Sequence, residues 1–84
     1  MAAAKFKELP TTQLFETKAK NILKGELKRK GLTYANLVEK LAEIGVQETE
    51  RNLNNKISRG GFTAAFLIQC LEAIGCSTIH LNSN

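Results

Sequence analysis

The chain has no aspartate and no tryptophan, and only one proline, one histidine and two cysteines among its 84 residues. Each scarcity excludes something. With no aspartate, His80 alone, no glycine-rich phosphate loop and no paired carboxylates standing out in a polar pocket, the sequence argues against an enzyme and points to no cofactor. Cys70, Cys76 and His80 are three conceivable zinc ligands, but structural zinc takes four at tighter spacings, so no metal site is assigned. Cys70 stands instead on an apolar helical face, where a free cysteine behaves as a small hydrophobe. No apolar run approaches the ~20 residues of a membrane span, and the first residues lack a signal-peptide core. Two cysteines without such a signal point to a reducing cytoplasm. A chain of this length buries roughly 60–65% of its unfolded surface, which makes one domain with a thin core.

Positive charge is present, but unevenly. The formal net charge is +4. Residues 1–31 hold eight Lys/Arg against three Glu, residues 32–62 hold four against four, and residues 63–84 carry Glu72 alone. Cations therefore lie ahead of the central segment rather than within it, and they favour a polyanionic partner.

Apolar spacing defines four helices. Ala19, Ile22, Leu23 and Leu27 follow the helical period from Thr17 onward, with Lys20, Lys24 and Lys28 on another stripe. Each helix is expected to stop on a left-handed glycine followed by an apolar residue that packs back on the one five earlier. Leu27-Gly31-Leu32, Leu41-Gly45-Val46, Ile57-Gly61-Phe62 and Leu71-Gly75-Cys76 all fit. The second helix opens on the cap residue Thr33 and buries Leu37, Leu41 and Ile44. The third runs from about Glu48 to Arg59 on Leu53 and Ile57, and the fourth opens on Thr63 and buries Phe66 or Leu67, Cys70, Leu71 and Ile74. Thr78 to Leu81 alternates polar and apolar as a short terminal β-strand would, with Lys5-Phe6-Lys7 or a second molecule as its partner.

The third helix carries the functional argument. With Leu53 and Ile57 inward, Glu48, Arg51, Asn52, Asn55, Ser58 and Arg59 point outward. Arginine pairs bidentately with guanine and asparagine with adenine in the major groove, so Arg51, Asn52, Asn55 and Arg59 are the candidate base-reading residues. Any surface helix is polar outside, yet asparagine costs roughly half a kcal/mol per residue against alanine, which makes Asn52, Asn54 and Asn55 poor choices for solvation alone. Glu48 and Glu50 suit the helix dipole and would repel phosphate. Lys28, Arg29 and Lys30 in the last turn of the first helix, with Thr33 and Tyr34 opening the second, are candidate phosphate contacts; the cations also suit a helix C-terminus without any ligand.

The pattern Leu32-Thr33, Leu37, Leu41, Gly45-Val46, Ile57, Arg59-Gly60, Leu67 and Ala73-Ile74-Gly75 resembles the helix-turn-helix domain of phage repressors and Cro proteins. That resemblance implies a transcriptional regulator binding double-stranded DNA. The chain departs from the pattern where Ala42-Glu43-Ile44 lengthens the second helix and where Leu53 and Ile57 stand four apart. The stretches 24–37, 56–62 and 66–75 are similar to a family of small bacterial proteins of unknown function, a likeness that covers most of residues 18–81.

The expected architecture is all-α: a four-helix, repressor-like helix-turn-helix domain over residues 17–76. It follows an N-terminal arm of residues 1–16 and precedes a strand or tail of residues 77–84. The expected function is DNA binding as a homodimer, since one small module gives limited affinity. The alternative is a non-catalytic module that uses the same fold to bind a protein partner or a second copy.

Overall fold

The computed structural model describes residues 10–81. They form four helices: α1 Pro10–Arg29, α2 Tyr34–Glu43, α3 Glu50–Arg59 and α4 Ala64–Ala73. Helices α1 and α2 each pack against both α3 and α4. The core forms where these contacts meet, from Leu23 and Leu27 of α1, Leu37 and Leu41 of α2, Leu53 and Ile57 of α3, and Phe66, Cys70 and Leu71 of α4 with Ile74. The fold is all-α, as the apolar spacing requires.

Three threonines start three helices. The hydroxyls of Thr33, Thr49 and Thr63 accept from the backbone N–H of Asn36, Asn52 and Phe66. Each satisfies one of the donors that a helix N-terminus leaves open, which stabilises by about 1 kcal/mol. At Thr33 the cap is reciprocal, because the Asn36 side-chain oxygen accepts from the Thr33 N–H at 2.9 Å.

Three stops follow the expected device. Leu32, Val46 and Cys76 donate their N–H to Leu27, Leu41 and Leu71 at 2.9, 2.9 and 2.8 Å, across Gly31, Gly45 and Gly75 in the left-handed region. The stop of α3 differs from expectation: the left-handed residue is Gly60 (φ 75°), not Gly61. The reason is tertiary. A Cβ on Gly60 would lie 2.3 Å from the Glu16 carbonyl oxygen, so the chain turns where α1 leaves no room for a side chain.

Three further expectations are corrected. The first helix begins at Pro10, so residues 10–16 of the expected arm are helical, and proline at the first helical position leaves no N–H unsatisfied. The period fades there because Leu14 and Phe15 lie off the core face and stand 68% and 64% exposed. Ile44 is exposed rather than buried, since it is the C-cap of α2 and lies beyond the core face. No strand forms at 78–81 or elsewhere among the described residues; Ile79 packs on the core without any strand to pair with. The partner considered for it, Lys5-Phe6-Lys7, lies outside the described residues.

Candidate nucleic-acid interface

Helix α3 is anchored by two side chains and held at both ends. Leu53 and Ile57 are buried, and the other eight residues of the helix are exposed. Thr49 caps its start, and Gly60 seats its end on α1. The Lys20 ammonium approaches the Ser58 carbonyl at 3.4 Å, placing a cation from α1 at the negative end of the α3 dipole.

The outward face therefore has little internal work. Arg51, Asn52, Asn55 and Arg59 are all exposed. Among the described residues no hydrogen bond or ion pair takes the guanidinium of Arg51 or Arg59, or the side-chain amide of Asn52 or Asn55. All four candidate base-reading residues lie on this one helix with their donors and acceptors unspent. Arg59 also borders a small recess with Lys56, Gly61, Phe62, Thr63 and Phe66, at the corner between α3 and α4.

The acid expected beside them is partly removed. Glu48 precedes α3 rather than opening it, and its carboxylate, only 8% exposed, accepts from the Lys56 ammonium at 2.5 Å. Lys56 in turn lies 5.0 Å above the Phe66 ring, which stacks at a tilt on Phe62. Desolvating a carboxylate is tolerable only when it is paired, so Glu48 turns inward to its cation instead of outward with Arg51. Glu50 alone keeps an exposed acid in the first turn.

The candidate phosphate contacts divide. Lys28, Thr33 and Tyr34 line one shallow recess, together with Lys24, Leu27 and Leu32. Burial raises the Tyr34 phenol above its ordinary 10.0, which leaves its O–H a donor as at an exposed tyrosine and extends that state to higher pH. The Thr33 hydroxyl is already committed, accepting from the Asn36 N–H and donating to the Asn36 side-chain oxygen at 3.0 Å. Arg29 sits away from the recess, 2.7 Å from the carboxylate of Glu26. Glu26 is a buried charged residue, so Arg29 has a structural duty that the sequence reading missed, although the i,i+3 spacing signals it. Lys30 is exposed.

Cys70 is fully buried in α4. Its thiol is pushed up to about 12, first by burial and then by the Glu48 carboxylate, with Lys56 opposing. It stays a protonated thiol and no nucleophile. Both cysteines are free, and among the described residues no three metal-ligating side chains converge. No helix among the described residues is long and apolar enough to cross a membrane.

Fold and surface together define a small all-α domain with one exposed, amide- and guanidinium-bearing helix. The chain belongs to the family described as Domain of unknown function (DUF6471), whose profile matches residues 15–79. No curated protein and no solved structure matches it significantly. The family brings no activity with it, so function rests on the residues.

Proposed function

We propose that the chain is a small DNA-binding protein, a dimeric transcriptional regulator that presents α3 to the major groove. Helices α2 and α3, joined through residues 44–49, are the helix-turn-helix pair of this reading. Arg51, Asn52, Asn55 and Arg59 read base edges, as arginine reads guanine and asparagine reads adenine. Lys28, Lys30 and the Tyr34 hydroxyl hold phosphates. Arg29 adds charge from its pair with Glu26, and Thr33 contributes by fixing the start of α2. The observation that carries the reading is the idleness of α3's outer face: eight of its ten residues are exposed, and the four candidate side chains have no hydrogen-bond or ion-pair partner among the described residues. The inward turn of Glu48 supports it by withdrawing one negative charge from that neighbourhood.

Titration of a mixed-sequence duplex at two salt concentrations tests it. With Lys28, Arg29 and Lys30 on phosphates, log K per protomer should fall against log salt with a slope of about −3; Lys28→Ala should reduce that slope by about 1, and Arg51→Ala should instead weaken binding to a preferred sequence by about 1–3 kcal/mol. A correctly folded protein that fails to bind duplex at low salt would end the proposal.

The second reading, a protein-binding module, has its own support in the exposed apolar side chains Leu14, Phe15 and Ile68. They lie on α1 and α4, so the two readings use different parts of the surface.

A further inference from the structure

Two exposed faces of this domain match one another. On α1, Leu14 and Phe15 stand 68% and 64% exposed, and Lys18 follows Leu14 by four residues on the same face. On α4, Ile68 is 55% exposed and Glu72 follows it by the same interval. Each face is therefore an apolar residue and, one turn on, a charge, with opposite signs on the two helices. Neither Lys18 nor Glu72 has an ion-pair partner among the described residues. Beside Ile68 the surface dips into a recess lined by Leu71, Glu72, Gly75 and Cys76. A side chain at Gly75 would meet nothing within 4 Å, so the recess is open there.

We propose that this α4 face is the docking site for α1 of a second copy of the chain. Helices lie parallel in register, so that Leu14 covers Ile68, Lys18 faces Glu72, and the Phe15 ring enters the recess over Leu71. Charge selects the occupant: residues 1–31 carry eight cations against three acids, whereas residues 63–84 carry Glu72 as their one charged side chain. A second α4 laid parallel in the same register would bring Glu72 against Glu72, and a second α1 would bring Lys18 against Lys18, whereas α1 on α4 pairs the two opposite charges. The contact joins unlike surfaces, and it closes when two copies exchange α1 faces about a twofold axis. Exchange also forms the contact twice, doubling the area buried towards the ~1,200 Å² of a stable interface. The inference supplies the dimer surface for the DNA-binding reading. Its test contains no DNA, so either can fail without the other.

Sedimentation velocity of the full chain over a concentration series is the test. The expected result is a reversible monomer–dimer equilibrium. Leu14→Glu or Ile68→Glu should leave monomer throughout, with an unchanged helical circular dichroism spectrum because both positions are exposed in the monomer. Glu72→Lys should weaken the dimer roughly tenfold, since each exposed pair is worth about three- to fivefold and occurs twice. Lys18→Glu combined with Glu72→Lys should restore it. A wild-type chain that stays monomeric, assembly beyond the dimer, or a dimer indifferent to the apolar variants or unrestored by the charge exchange would overturn the proposal.

Discussion

Helices α2 and α3 are both ten residues long, and both open on a threonine whose hydroxyl accepts from the third backbone N–H. Beyond that they are built differently. In α2 the buried Leu37 and Leu41 are joined at the core by half-buried Tyr34 and Val38, and Asn36 and Lys40 are half-buried too, so six of its ten residues are at least partly covered. In α3 only Leu53 and Ile57 are buried. Its exposed face spends three positions on asparagine, where alanine or lysine would make a better helix. What α3 lacks in burial it receives at its ends, from the Thr49 cap, the Gly60 seat on α1 and the Lys20 ammonium near Ser58. A helix held by its ends and two anchors leaves its other face to solvent, and that face is what the DNA-binding proposal uses.

The strongest way to break this comparison is at the end of α3. Gly60→Ala forces a left-handed alanine whose Cβ falls 2.3 Å from a backbone oxygen of α1, and it should cost about 3 kcal/mol or more. Gly45→Ala, at the end of α2, meets the same left-handed strain in open space and should cost about 1 kcal/mol. Urea denaturation of both variants measures the difference. Equal losses would mean that α1 does not brace α3.

Alkaline unfolding sharpens the account of the ground beneath α3, where Glu48 and Lys56 bear on the Cys70 thiol. Below the ordinary value of 9.0 the thiol is protonated in both states and contributes no pH dependence. Above it the unfolded chain loses the proton while the folded chain keeps it until about 12, so stability falls with rising pH. The fall is up to about 1.4 kcal/mol per pH unit, and Cys70→Ala should remove that share of it. Parallel melts of both proteins from about pH 8 to about pH 11 provide the check.

Smaller effects separate stability from function. Thr49→Ala should lower stability by about 1 kcal/mol through loss of the cap. Asn55→Ala should raise stability by roughly half a kcal/mol while weakening binding to a preferred duplex by about 1–3 kcal/mol. Thermal melts and a duplex titration on the same Asn55→Ala sample distinguish this from a merely solvated asparagine, which would show the gain without the loss.

Much of the fold is legible in local pattern because its signals are local. Thr33 and Thr63 as caps, Gly31, Gly45 and Gly75 as stops, and the buried positions of α2 to α4 other than Ile44 need only the helical period and the chemistry of helix ends. The departures occur where a distant residue decides. The apolar spacing names Gly61 as the stop of α3, but the left-handed residue is Gly60, packed against the Glu16 backbone. Glu48 reads as an outward helix residue until Lys56 draws it in. The start of α1 is hidden because Leu14 and Phe15 break the core period. The alternation at 78–81 is a real pattern with no strand among the described residues to complete it. The candidate site was legible as a set of side chains on one helix. Two of the candidate phosphate contacts have structural duties that local pattern also signals: the i,i+3 spacing pairs Arg29 with Glu26, and the Thr33 cap takes up the hydroxyl offered to phosphate.

The claim that α3's outer face is reserved for DNA meets its most direct test in the backbone amide spectrum of the ¹⁵N-labelled protein, titrated with a mixed-sequence duplex at low salt. The account predicts that the largest shifts fall at Arg51, Asn52, Asn55 and Arg59, with a second group from Lys28 to Tyr34, and that both collapse as salt is raised. An unchanged spectrum, or shifts confined to Leu14, Phe15 and Ile68, would contradict it.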